Sequence, residues 1–93
     1  SKEIKDDEAI LETYVGKYEL MPSFTLTIIK DGTQMKAQGT GQPALDIFPK
    51  SNTTFYAKEI EAQIIFNKGE DGEIESLTLF QGGQEMNGKR IEE

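Results

Sequence analysis

The run from Phe24 to Gln38 constrains this chain most. Phe24-Thr25-Leu26-Thr27-Ile28 alternates apolar and polar side chains, which only a β-strand sorts into one dry and one wet face. Asp31-Gly32 follows, a strong hairpin signal. Thr33 to Gln38 then returns, with Met35 and Ala37 as the inward pair. A two-stranded hairpin is marginal alone in water, so the rest of the chain must cover its dry face.

The flanking segments read as further strands. Val15 to Leu20 comes first, and Gly16 within it signals a bend or a close backbone approach. Pro22 ends it, because proline cannot continue a ladder. Beyond the hairpin, strands are expected at Ala44 to Phe48, Thr53 to Lys58, Glu61 to Asn67, Ile74 to Gln81 and Gln84 to Ile91. Gly, Pro, Ser-Asn and Asp-Gly breaks separate them. Ile74 and Leu77 fall on opposite parities, which calls for a bulge near Glu75-Ser76. At the start, Asp6 or Asp7 caps a short helix over Glu8 to Glu12, with Ile10, Leu11 and Tyr14 on the side that covers one end of the sheet.

Residues 1–8 then form a flexible charged lead-in, and residues 9–93 one domain. The fold class is all-β: an antiparallel up-and-down meander of about eight strands behind a short N-terminal helix. An open meander leaves two unpaired edges. Closure pairs Gln84–Ile91 with Val15–Leu20 and gives a small lipocalin-like barrel. The alternative is a half-open, curved sheet with the helix in its concavity.

The inward parity holds Tyr18, Phe24, Leu26, Met35 and Phe66. With Gln63 and Gln81 added, these seven are the candidate pocket lining. Eight strands leave room for packed side chains or for one small ligand, and the bulk of this set favours packing. Ile29, Phe48, Ile65 and Phe80 are apolar on the opposite parity and are the candidate interface.

Composition excludes several chemistries. The 93 residues contain no cysteine and no histidine, so disulfides, thiolate metal sites and Ser-His-Asp catalysis are impossible within them. A net charge of −7 repels phosphate backbones and speaks against nucleic acid. No apolar run reaches the ~20 residues of a membrane span. No cofactor, metal or catalytic residue is expected. Gly39-Thr-Gly-Gln-Pro43 lacks the helix a dinucleotide fingerprint needs, and Glu70-Asp71-Gly72-Glu73 lacks EF-hand spacing. Asn52-Thr53-Thr54 fits a glycosylation sequon but reads as a turn. The carboxylates Glu19, Asp46, Glu59 and Glu61 follow polar alternation. The chain begins at Ser1 without a leader, as an excised domain or a processed chain does.

Leu11-x-x-Tyr14-Val-Gly-Lys-Tyr-Glu-Leu20 resembles the opening of a small domain of unknown function. That domain is fused to bacterial serine hydrolases of the beta-lactamase and penicillin-binding class. The resemblance continues through Thr40-Gly-Gln-Pro-Ala-Leu45, Phe48-Pro49, Ala62-Gln-Ile-Ile-Phe66, Leu77-Thr-Leu-Phe-Gln81 and Arg90-Ile91. It departs at Phe80, where the family often carries histidine. It implies a lipocalin-like barrel, a periplasmic or exported setting, and a nucleophile outside this domain. The class's Ser-x-x-Lys motif is absent from the sequence. The expected role is therefore a non-catalytic accessory domain, packed against a serine hydrolase catalytic domain in the same polypeptide or against a second copy. A binding module for a small apolar ligand is the alternative.

Overall fold

The structure is a computed structural model that describes residues 8–91. Residues 1–7 of the expected lead-in, the capping aspartates among them, lie outside the described residues, and Glu8 belongs to the helix. Residues 8–12 are helical, and eight strands follow. They are β1 (Gly16–Met21), β2 (Phe24–Asp31), β3 (Gln34–Gly39), β4 (Leu45–Pro49), β5 (Thr54–Ala57), β6 (Ala62–Lys68), β7 (Ile74–Gln81) and β8 (Gln84–Ile91). Each pairs antiparallel with the next, and β1 pairs with β8, so the barrel is closed. The half-open sheet is ruled out by the pairs Lys17–Ile91, Tyr18–Arg90 and Glu19–Lys89. Closure leaves no bare strand edge to template aggregation.

Local chemistry sets these elements. Gly82 and Gly83 both take positive φ and join Gln81 to Gln84 in a two-residue turn, the primed geometry that matches strand twist. Gly32 does similar duty between Asp31 and Gln34. In β7, Ile74 lies opposite Lys68 while Ser76 lies opposite Asn67. Glu75 is thus the extra residue of a bulge, and Ile74 and Leu77 both turn inward. The parity mismatch in the sequence is resolved where it was expected.

The connections divide between two rims. The helix, the β2–β3 turn, the β4–β5 and β6–β7 loops and Ile91 share one end, here the helix rim. The remaining turns form the far rim. Between them lies one core around Tyr18, Ile28, Met35, Ile47, Phe55, Phe66 and Leu77, each at most 2% exposed. Leu11, Val15, Leu20 and Met86 pack against it from the edges. Among the described residues no polar or charged side chain is buried.

Phe66 stacks on Tyr14 at 4.4 Å between centroids and meets Tyr18 and Phe55 edge-on. Truncating it leaves a void that three rings must fill. Phe66→Ala is expected to cost about 3–5 kcal/mol, read as a lowered urea midpoint at unchanged slope.

Candidate functional site

The interior is filled. Its enclosed cavity, at the far rim, measures about 50 Å³ and is bordered by Phe24, Leu26, Gly39, Gln42, Ile60 and Gln81, among others. Small-molecule sites occupy roughly 300–1,000 Å³, so this space is too small for one. Of the seven candidate lining residues, Tyr18, Leu26, Met35 and Phe66 are buried core. Phe24 is half-buried, and Gln81 is exposed at the cavity's edge. Gln63 points outward, because Ala62 and Ile64 on either side take the inward parity. Phe24 folds across the far rim only because residue 39 is glycine. A Cβ there would stand 2.6 Å from the Phe24 ring.

The helix rim is closed by a polar lock that alternation alone did not reveal. Tyr18 hydroxyl donates to the Tyr14 carbonyl at 2.8 Å, and Tyr14 hydroxyl donates to the Asn52 carbonyl in the β4–β5 loop. Arg90, opposite Tyr18 at the seam, covers that ring at 5.5 Å. Its guanidinium donates to the Ile74 carbonyl at 3.0 Å, to the Thr13 carbonyl at 3.0 Å and to the Val15 carbonyl. One side chain thus ties the helix exit and β1 to β7 and β8. Gly16 makes the room. Its φ of +152° suits glycine, and a Cβ would lie 3.1 Å from Arg90 Nε. The close approach signalled by Gly16 is therefore to Arg90. The lock supplies structure rather than chemistry, since all its acceptors are backbone carbonyls.

The outer wall carries the remaining candidates. Cross-strand register sets Phe48 opposite Tyr56, Tyr56 opposite Gln63, and Gln63 opposite Phe80. Phe48 and Tyr56 rings lie 5.8 Å apart, and Lys58 Nζ sits 4.8 Å over Phe48. Ile65 lies in the next row, between Thr54 and Thr78. Three of the four candidate interface residues therefore share one wall. Ile29 does not join them: it lies on β2, opposite Lys36 of β3. Glu19, Asp46, Glu59 and Glu61 are all exposed, and no acidic group of three among the described residues is placed to hold a metal ion.

A closed eight-stranded antiparallel barrel with a packed interior is thus the class of domain in hand. By its sequence the chain belongs to the family described as Domain of unknown function (DUF3471), matched over residues 1–90. It is also similar to Penicillin-binding protein 4* of Bacillus subtilis (strain 168), 30% identical over 79 residues. That match covers 85% of this chain and 17% of the relative, so the chain spans about a sixth of that protein's length. No solved structure matches it.

Two outcomes follow from the lock. Arg90→Met keeps the aliphatic stem but strips three carbonyls of a charged donor. It is expected to lower stability by about 2 kcal/mol or more, read in urea. The second concerns alkaline pH. Burial pushes the Tyr18 phenol up to about 12, against the opposing pull of Arg90, and burial also raises Tyr14. An unfolded tyrosine titrates near ~10. Above that pH the unfolded chain binds fewer protons than the folded one, so stability falls as pH rises. Stability should hold up to about pH 10 and drop between about 10 and 12. Tyr18→Phe should flatten that drop in a urea-midpoint series.

Proposed function

We propose that this chain is a non-catalytic accessory domain of a serine hydrolase of the penicillin-binding class, packed against the catalytic domain of the same polypeptide. The observation that carries this reading is the filled interior. A barrel with about 50 Å³ of enclosed space offers a ligand almost nothing inside it, and its roomier hollow of about 360 Å³, between Ile10, Tyr14, Asn52 and Phe55, is an open cleft on the helix rim. The similarity to a sixth of a penicillin-binding protein supports a place within a longer chain. The sequence itself lacks histidine, cysteine and any Ser-x-x-Lys, so the residues that this class uses for acyl transfer must come from elsewhere.

In this role the barrel is a rigid body whose wall is presented to its neighbour. Its contribution is to stabilise the assembly or to shape access to the active site. In this account residues 9–93 form one domain.

The test pairs two measurements. Exposed to a fluorescent penicillin, the isolated chain should remain unlabelled while the full-length polypeptide is acylated. Deleting the barrel from the full-length protein should lower the melting temperature of what remains by several degrees, as the loss of about 1–2 kcal/mol of contact does in a domain of moderate size. Labelling of the isolated chain would sink the non-catalytic reading. An unchanged melting temperature and unchanged turnover after deletion would sink the accessory one.

A further inference from the structure

Charged residues make up 29% of the chain, yet the barrel wall does not share them evenly. Lys17 and Glu19 of β1, Lys36 of β3 and Asp46 of β4 occupy outward ladder positions, with Lys36 paired to Asp46 at 3.1 Å. Away from the helix rim, where Lys68 ends β6 and Glu75 forms the bulge, the outward positions of β5, β6 and β7 carry no charge. One row across them is the Tyr56–Gln63–Phe80 line already described, extended by Phe48. The next is Thr54–Ile65–Thr78, extended by Asn87 of β8. The third is Asn67 opposite Ser76.

One polar cluster of this wall is already ordered. Asn67 Nδ2 donates to Ser76 Oγ at 3.1 Å and to Thr78 Oγ1 at 3.0 Å, and Thr78 Oγ1 donates to Asn87 Oδ1 at 3.2 Å. Held in this way, they lose little rotamer freedom when covered. Around the neutral wall stand charges: Lys58 and Glu61 at the far rim, Lys68 and the bulge residue Glu75 at the helix rim, Glu85 and Lys89 on β8. An aromatic and neutral centre with a charged margin is the anatomy of a protein interface.

We propose that this wall, β5 to β7 with Phe48, is the surface that docks on the hydrolase domain of the same polypeptide. The inference rests on the accessory-domain reading above and names its contact face. Area decides between a tethered neighbour and a second copy. Four strands about 4.8 Å apart and three rows of side chains span on the order of 400 Å². A free-standing dimer needs about 800 Å² from each partner. Domains joined in one chain make do with roughly 600–1,500 Å² in total, because the tether holds them at millimolar effective concentration. The similarity spans 17% of its relative's length, which leaves ample chain to supply that neighbour. The chemistry required of it is an uncharged surface with apolar side chains for Phe48, Tyr56, Ile65 and Phe80 and hydrogen-bonding groups facing Gln63 and the Asn67 cluster.

Hydroxyl-radical footprinting read by mass spectrometry tests this, on the 93-residue chain and on the full-length polypeptide. Phe48, Tyr56, Ile65 and Phe80 should be oxidised about fivefold or more slowly in the full-length protein, as buried interface centres exclude solvent. Met21, exposed on the far rim, should react equally in both. Ile65→Glu should leave the urea midpoint of the 93-residue chain nearly unchanged and restore fast oxidation of the wall in the full-length protein. Protection confined to Ile29 or Met21 would overturn this face while leaving the accessory reading intact. No protection anywhere would overturn both. A doubled mass of the 93-residue chain, with protection of the same wall, would assign it to a second copy and overturn the tethered partner.

Discussion

The pairing of β1 with β8 is the constraint on which the barrel depends. Its three residue pairs join the two ends of the strand sequence, the most distant contact in the ladder and the one with the largest loop to close. Every other strand pairs with its immediate neighbour through a short connection. The seam therefore needs reinforcement that the hairpins do not, and Arg90 provides it from within the seam. Its three carbonyl acceptors lie on segments before β1 and at the start of β7. The guanidinium thus fastens the ends of the strand run to an interior strand.

Tyr14 and Tyr18 complete this closure from the inside. Both carry an apolar ring into the core and a hydroxyl to a carbonyl that would otherwise face the rim. Such amphipathic rings suit the boundary between a dry interior and its lid. The aromatic cluster with Phe55 and Phe66 fills the helix end of the barrel. The far rim is closed by Phe24 over Gly39 and by Ile60, and the small cavity lies there. The molecule is a solid cylinder, and its recognition chemistry is confined to the wall and rims.

Much of this was legible in the sequence. Alternation and the Asp-Gly and Gly-Gly turns gave all eight strands, and opposite parity at Ile74 and Leu77 located the bulge. The core was less legible at Ala57 and Ala62, because small residues give alternation little contrast. Arg90 was missed as a structural residue, since a cation in an alternating strand reads as part of the wet face. Only Gly16, one position into the expected first strand and on the seam, hinted that something large lay against it. The candidate interface was legible by parity for Phe48, Ile65 and Phe80. Ile29 shared that parity but not the wall, because position around a closed barrel follows from strand order rather than from alternation. The neutral wall could have been found by counting charges on the outward parity of each strand.

The seam has a mechanical consequence. β1 begins and β8 ends at the same rim, with Lys17 beside Ile91. Tension applied through polypeptide on both sides of the barrel would load these neighbours at one end, so their hydrogen bonds would yield in succession, as a zipper does, rather than resist together in shear. The first link in that zipper is Arg90, bonded to the carbonyls of Thr13 and Val15 just outside β1. Under pulling, one guanidinium sets the force at which the cylinder begins to open.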